Sequence, residues 1–375
     1  QNHQLSKALN TIHQAFFLSE LKTLSLYLVG TGLIGSTLLK QIEAHKKYLR
    51  SSRSLEIVIA GVANSRKMLF DDSGISQQKM EGLLKEGEPM QLEQFIHTMR
   101  EQNLPNSVLV DCTGNGAVVR HYEDILASSI SIVTPNKVAN SGKMSSYLRL
   151  REIMRRSNAN FLYETNVGAG LPVISTLRDL ITSGDRILRI EAVLSGTLSY
   201  IFNTFGPGMP FCDVVEQARK LGYTEPDPRD DLGGLDVARK LLILARETGL
   251  QLELQDIKIE QILPVACLKA KSVEDFFREL RKNDALFEKR REAAASRNAV
   301  LRFIAKLEGG KASIRLEEVS AAHPFYNLSG SDNIISFTTD RYKDRPLVVK
   351  GPGAGAEVTA AGVFAEIISL SRYLD

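Results

Sequence analysis

Apolar positions in the first half of the chain fall in short, nearly unbroken runs, each closed by glycine or a small polar residue. Residues 24–29, 55–62, 107–111 and 130–134 are such runs, and each leads toward a longer amphipathic stretch. Strands that read apolar on both faces belong in a parallel sheet covered by helices on either side. The pattern changes after about residue 186. A strand over 186–194 is followed by helical spacing over about 272–296. Residues 298–307 and 311–316 then read as a hairpin around Gly309-Gly310, and strands near 334–338 and 347–350 would extend that second sheet.

The first apolar run ends in Gly30-Thr-Gly-Leu-Ile-Gly35, and an amphipathic helix continues to about Tyr48. The G-x-G-x-x-G spacing is a weak signal alone, but here strand and helix flank it as the motif requires. Gly30 permits a tight turn, Gly32 lets a pyrophosphate approach the backbone, and Gly35 lets helix pack on strand. The first-turn N–H groups, those of Leu33 and Ile34 among them, and the positive end of the helix dipole then suit phosphate. After the second run come Ser65 and Arg66 where an NAD site usually carries an acidic residue, which favours NADP while leaving NAD possible. Thr113 and Lys137 fall at the ends of later strands, where ligands of doubly wound sheets sit. A helix cap and a surface lysine are the plainer readings of the two. Gly355 heads a second Gly-rich helix start that is expected to return to the first domain. The predicted fold class is α/β, a Rossmann-type doubly wound parallel sheet plus an α+β catalytic and dimerisation domain with its own sheet. The expected boundaries are a linker helix at 1–20, a dinucleotide-binding domain at 21–162 completed by 352–375, and a substrate domain at 163–351.

The densest chemistry lies between Gly222 and Lys240, where Glu225, Asp227, Asp230, Asp231 and Asp236 surround Pro226 and Pro228. Proline restricts its own φ and the residue before it, so Glu225 and Asp227 sit on stiff backbone. Residues 237–245 are apolar around most of a helical circumference, which predicts a buried helix. A buried lysine beside fixed carboxylates is a candidate proton-transfer group. The plainer alternative is an exposed i,i+4 Asp236–Lys240 pair worth about 0.3–0.5 kcal/mol. Upstream, Asn166-Val-Gly-Ala-Gly-Leu-Pro172 turns tightly near Glu164. Its carbonyls could ligate a hard cation, although a turn that merely starts the next helix is the simpler reading.

Composition narrows the function classes. The 47 basic and 44 acidic residues nearly balance, and no basic block or basic–aromatic interleaving points to nucleic acid. Cys112, Cys212 and Cys267 are far apart, which fits free thiols in a reducing compartment, with the cytosol as default. No apolar run approaches the roughly 20 residues of a membrane span. The chain starts at Gln1, and Leu5, Leu9, Ile12 and Phe16 form one helical stripe, so an excised linker helix or a plain terminal helix is expected there.

Taken together, the motifs resemble homoserine dehydrogenase over nearly the whole chain, and specifically the C-terminal half of bifunctional aspartokinase–homoserine dehydrogenases. The residues that carry this are Gly30–Gly35, Thr134-Pro-Asn-Lys137, Glu164 with Val167-Gly-Ala-Gly-Leu171, Ser195-Gly-Thr-Leu-Ser-Tyr200, Gly222–Lys240 and Gly351–Ala361. The resemblance implies reversible, NAD(P)H-dependent reduction of aspartate-4-semialdehyde to homoserine on the route to threonine, methionine and isoleucine. Carried onto this chain, it makes Lys240 the proton donor and Lys137 a second active-site lysine that contacts cofactor or substrate. Glu225 and Asp236 become substrate-binding carboxylates, with Asp231 a further candidate, and Gly355 a cofactor contact. Glu164 with the carbonyls of Val167, Ala169 and Leu171 becomes a sodium site. A homodimer and an aspartokinase region fused upstream are also implied. Another NADP-linked amino-acid oxidoreductase, or a non-catalytic NADP-binding dimerisation module, are the alternatives.

Overall fold

A computed structural model describes residues 21–373. The expected linker helix at 1–20 lies outside the described residues. Two compact units emerge: one takes in the chain through Asn166 and resumes at Gly355, and the other is Val167–Ala354.

The first unit holds β1 (Lys22–Val29), β2 (Leu55–Ala63), β3 (Lys67–Phe70), β4 (Glu88–Pro89), β5 (Ser107–Asp111), β6 (Ser131–Val133) and β7 (Phe161–Leu162). They form one sheet in the order β4-β3-β2-β1-β5-β6-β7. The pairs β1–β2, β1–β5, β5–β6 and β6–β7 are parallel, as the apolar runs predict. Strands β3 and β4 add an antiparallel edge that the runs did not reveal. Its cause is local. The Asn64 side-chain oxygen accepts from the N–H groups of Arg66 and Lys67, both at 2.8 Å, and reverses the chain directly after β2. The strand order switches direction between β1 and β5, the place where open α/β sheets bind ligands. Helix Leu33–Arg53 packs on helix Ala356–Leu370 through buried Leu38, Ile42, Val363 and Ile367. The Gln41 amide donates to the Glu357 carbonyl and carboxylate, each at 3.0 Å, and fastens the pair.

The second unit contains β8 (Ile187–Val193), β9 (Lys258–Ile259), β10 (Ala299–Glu308), β11 (Lys311–Ser320), β12 (Asp332–Thr339) and β13 (Leu347–Pro352). Their order is β13-β12-β8-β10-β11-β9. The predicted hairpin is β10–β11, and the later strands join the same sheet with β8 between them and the hairpin. Ile190, Phe303, Ala305, Ile335 and Phe337 are buried on one face, and helix Leu235–Glu247 packs against β10 and β11. The expected helical stretch over 272–296 is two helices, Val273–Lys282 and Asp284–Ala295, divided at Asn283. Among the described residues no helix is long and apolar enough to cross a membrane.

Candidate functional site

In the first unit the three motif glycines answer to different constraints. Gly30 has φ 99°, and a Cβ there would stand 2.9 Å from the Cys112 carbonyl carbon. A Cβ on Gly35 would collide with the Gly30 carbonyl oxygen. Gly32 has an ordinary φ of −68° and nothing within 4 Å of its Cβ position. No protein atom demands glycine there, and open space is what a close-lying pyrophosphate needs. No side chain caps the helix that follows, so its first-turn N–H groups at Leu33 and Ile34 suit an anion. Gly355, at φ 116°, likewise heads helix Ala356–Leu370 without a side-chain cap.

Beside this turn, the ends of β5 and β6 share a buried polar network. Asp111 Oδ1 accepts from the Thr113 N–H (2.8 Å) and hydroxyl (2.6 Å). Its Oδ2 accepts from the Tyr122 hydroxyl (2.6 Å) and the Asn136 amide (3.2 Å). Thr134 Oγ1 donates to the Asp111 carbonyl at 2.7 Å and accepts from the Asn136 N–H at 2.9 Å. Asn136 Oδ1 then takes the Val138 N–H at 3.0 Å, which fixes the backbone on both sides of Lys137. Thr113 is thus held by Asp111, and Lys137 is half-buried at the start of a short helix, Val138–Ser141.

A cleft of about 790 Å³ lies by the end of β2, lined by Lys40, Arg66, Lys67 and Lys85 together with Thr31 and Ser36. Lys67 also donates to the Gly87 carbonyl at 2.7 Å, so it is a structural contact as well as part of the cleft. Ser65 is exposed and does not line it.

In the second unit Pro228 opens helix Pro228–Leu232, with Asp227 as its cap. The Arg229 guanidinium closes on both Asp227 oxygens and holds that carboxyl below its ordinary range. Asp227 is therefore a structural member of the motif. Asp231 Oδ2 accepts the Glu225 N–H at 2.8 Å, and its Oδ1 lies 3.0 Å from the Thr197 hydroxyl. Burial raises the Asp231 pKa. These contacts pin the Glu225 backbone in addition to the two prolines.

Lys240 lies on helix Leu235–Glu247 with its side chain only 12% exposed, while its partner Asp236 is 51% exposed. The ammonium is 2.8 Å from Asp236 Oδ2 and donates to the Leu194 carbonyl at 2.7 Å. Both sequence readings of this pair are thus partly realised: the i,i+4 contact forms, but its lysine is enclosed. A lysine ammonium has three donors, and the third has no partner among the described residues.

The predicted strand before the tight turn is only β7, and Glu164–Asn166 is a 3₁₀ turn. The Glu164 N–H donates to the Glu366 carboxylate at 2.7 Å. Gly168 (φ 79°) and Ala169 (φ 53°) are successive left-handed residues, and the Leu171 N–H donates to the Gly168 carbonyl at 3.0 Å. Among the described residues no group of three or more His, Cys, Asp or Glu side chains could hold a metal.

Residues 172–368 match the family model described as homoserine dehydrogenase, and 30–164 match its NAD-binding domain. A maize protein, the chloroplastic bifunctional aspartokinase/homoserine dehydrogenase 1, is 49% identical over 98% of this chain. The homoserine dehydrogenase of Schizosaccharomyces pombe is 39% identical over 92% of this chain and 94% of its own length. This chain belongs to the homoserine dehydrogenase family. A crystal structure of a Candida auris protein of unknown function superposes with a TM-score of 0.87 at 33% identity, covering 94% of this chain and 99% of that one. The chain spans 40% of the length of the maize relative.

For a homoserine dehydrogenase, sequence reasoning found the glycine turn and the Lys240 segment and missed what supports them. Asp111, Tyr122, Thr134 and Asn136 went unassigned, although a carboxylate ending an otherwise apolar strand, with threonine two residues on, was a visible signal. Leu194 and Thr197 were equally unassigned. A lysine's carbonyl partner 46 positions away leaves no mark in sequence.

Proposed function

We propose that this chain catalyses the reversible, NADP-linked reduction of aspartate-4-semialdehyde to homoserine. The observation that carries the reading is the enclosed Lys240 ammonium, fixed by Asp236 and Leu194 with one donor to spare. Bound NADPH supplies the hydride. Lys240 meets the aldehyde oxygen, stabilises the alkoxide as charge develops and delivers the proton. Glu225 and Asp236 pair with the substrate α-ammonium, and Asp231 sets the Glu225 segment. Gly30, Gly32, Leu33, Ile34, Gly35, Thr113 and Gly355 hold the dinucleotide, and Lys137 contacts cofactor or substrate. The test is NADPH oxidation by the purified chain across a panel of aldehydes and imines. Turnover with aspartate semialdehyde is expected; turnover only with another substrate overturns the assignment.

NADP is favoured over NAD because four cations, Lys40, Arg66, Lys67 and Lys85, line one cleft beside β2, which suits a ribose phosphate. The proposed sodium site uses the Glu164 carboxylate and the carbonyls of Val167, Ala169 and Leu171, an all-oxygen donor set that fits a hard cation. Melting with and without sodium, in wild type and Glu164→Ala, tests it; an indifferent variant leaves a plain turn. A homodimer through the second unit's later strands is proposed on the family resemblance and on the apolar hairpin of β10 and β11, and a monomer by light scattering removes it. Fusion to an upstream aspartokinase rests on the bifunctional relatives. A reducing compartment such as the cytosol is supported by the free thiols of Cys112, Cys212 and Cys267.

A further inference from the structure

Asp111 ends β5 fully buried, and four donors converge on its carboxylate: the Thr113 N–H and hydroxyl, the Tyr122 hydroxyl and the Asn136 amide. None of these is a cation. Such a set serves an anion: every group points a hydrogen at it, and each oxygen receives two. Asn136 Nδ2 also lies 3.4 Å from Thr113 Oγ1, so Thr113 can accept there while its own proton goes to Asp111. Burial raises the Asp111 pKa above its ordinary value, and the four bonds oppose that rise. A negative charge there is held by those dipoles alone, away from bulk water.

Its position gives that charge a use. Gly30 packs against the peptide between Cys112 and Thr113, and the Asp111 carboxylate holds the Thr113 end of that peptide, at the switch between β1 and β5. The oxidised nicotinamide ring is a cation and the reduced ring is neutral, while the rest of the dinucleotide is the same in both. A fixed buried anion therefore acts on one redox form and hardly on the other.

We propose that Asp111 is a positioning residue that sets the balance between oxidised and reduced cofactor, favouring NADP⁺ through its charge while holding Thr113 and the Lys137 loop in place. This rests on the dinucleotide reading above. Two unit charges about 10 Å apart at an effective dielectric of about 20 interact strongly enough to change a binding constant roughly tenfold. A merely structural residue would move both affinities together.

The test measures NADP⁺ and NADPH dissociation constants on the purified chain, wild type and Asp111→Asn, at low ionic strength. The expected result is a roughly tenfold loss for NADP⁺ relative to NADPH in the variant. Equal losses for both forms, or no change, overturn the proposal. Tyr122→Phe keeps the carboxylate and removes one donor, so it provides a second check should Asp111→Asn not fold. With one fewer donor to hold the charge, the ratio should shift in the same direction as in Asp111→Asn and by less, and no shift or a shift toward NADP⁺ overturns the proposal. A wild-type chain that binds neither form at millimolar concentration overturns the dinucleotide reading itself, which separates the two failures.

Discussion

The groups offered to a ligand by the first unit are mostly backbone N–H groups and a shaped void. Those of the second are charged side chains. At Gly32 the chain presents open space and an uncapped helix start, and the supporting Asp111 network contains no ion pair. In the second unit, by contrast, charged side chains hold one another in pairs: Asp236 on Lys240, Arg229 on Asp227. Backbone donors suit a ligand bound the same way throughout a reaction. Charged side chains suit a group whose protonation changes as the reaction proceeds. The difference teaches which residues can be altered without breaking the other half of the chemistry.

The largest test of that division is Lys240→Ala. Turnover is expected to fall about 10³-fold, in the range for a lost general acid, while the NADPH dissociation constant stays within about twofold. Fluorescence titration alongside steady-state rates decides, and loss of cofactor binding would show that the roles are not separable. Next come two glycines. Gly32→Ala should melt like the wild type yet bind NADPH at least about tenfold more weakly, because only the ligand occupies the space its methyl would take. Gly35→Ala should instead destabilise the fold by about 1–3 kcal/mol, because its methyl meets the Gly30 carbonyl. Equal behaviour of the two variants would remove the argument for Gly32. A smaller effect is expected at the basic cleft, where Arg66→Ser should reduce the preference for NADPH over NADH about tenfold, read as a ratio of kcat/KM values.

The smallest effects concern pH. The Asp227 pKa is lowered by Arg229, so its stabilising contribution is present above the ordinary value of 3.8 and is lost as pH falls through the folded value. The Asp231 pKa is raised by burial, so it favours the fold below 3.8 and loses that contribution as pH rises through its folded value. On acidification, the difference in melting temperature between wild type and Asp227→Asn should therefore shrink. The difference between wild type and Asp231→Asn should move in favour of the wild type. Parallel trends would show that one of the two environments has been misjudged.

Much of this was legible in the chain because its signals are local. The apolar runs give the parallel strands, the glycine spacing gives the turn, and Gly222–Lys240 concentrates the charged chemistry. Less visible were features that depend on distant partners. Strands β3 and β4 are short and follow from one asparagine side chain, which no periodicity marks. The place of β8 at the centre of its sheet is a matter of pairing order, which strand patterns do not encode. Asp111 looked like a strand end, since its partners Tyr122 and Asn136 lie 11 and 25 residues further on.

The return of the chain at Gly355 to finish the first unit has a consequence for synthesis. Val363, Phe364 and Ile367 close the core around β1 and its helix, yet a ribosome adds them only after the whole of Val167–Ala354. The cofactor half begins to form early and must wait, with that flank uncovered, until the whole inserted unit has been made. Deleting helix Ala356–Leu370 should therefore damage the unit that begins at β1 before the inserted one.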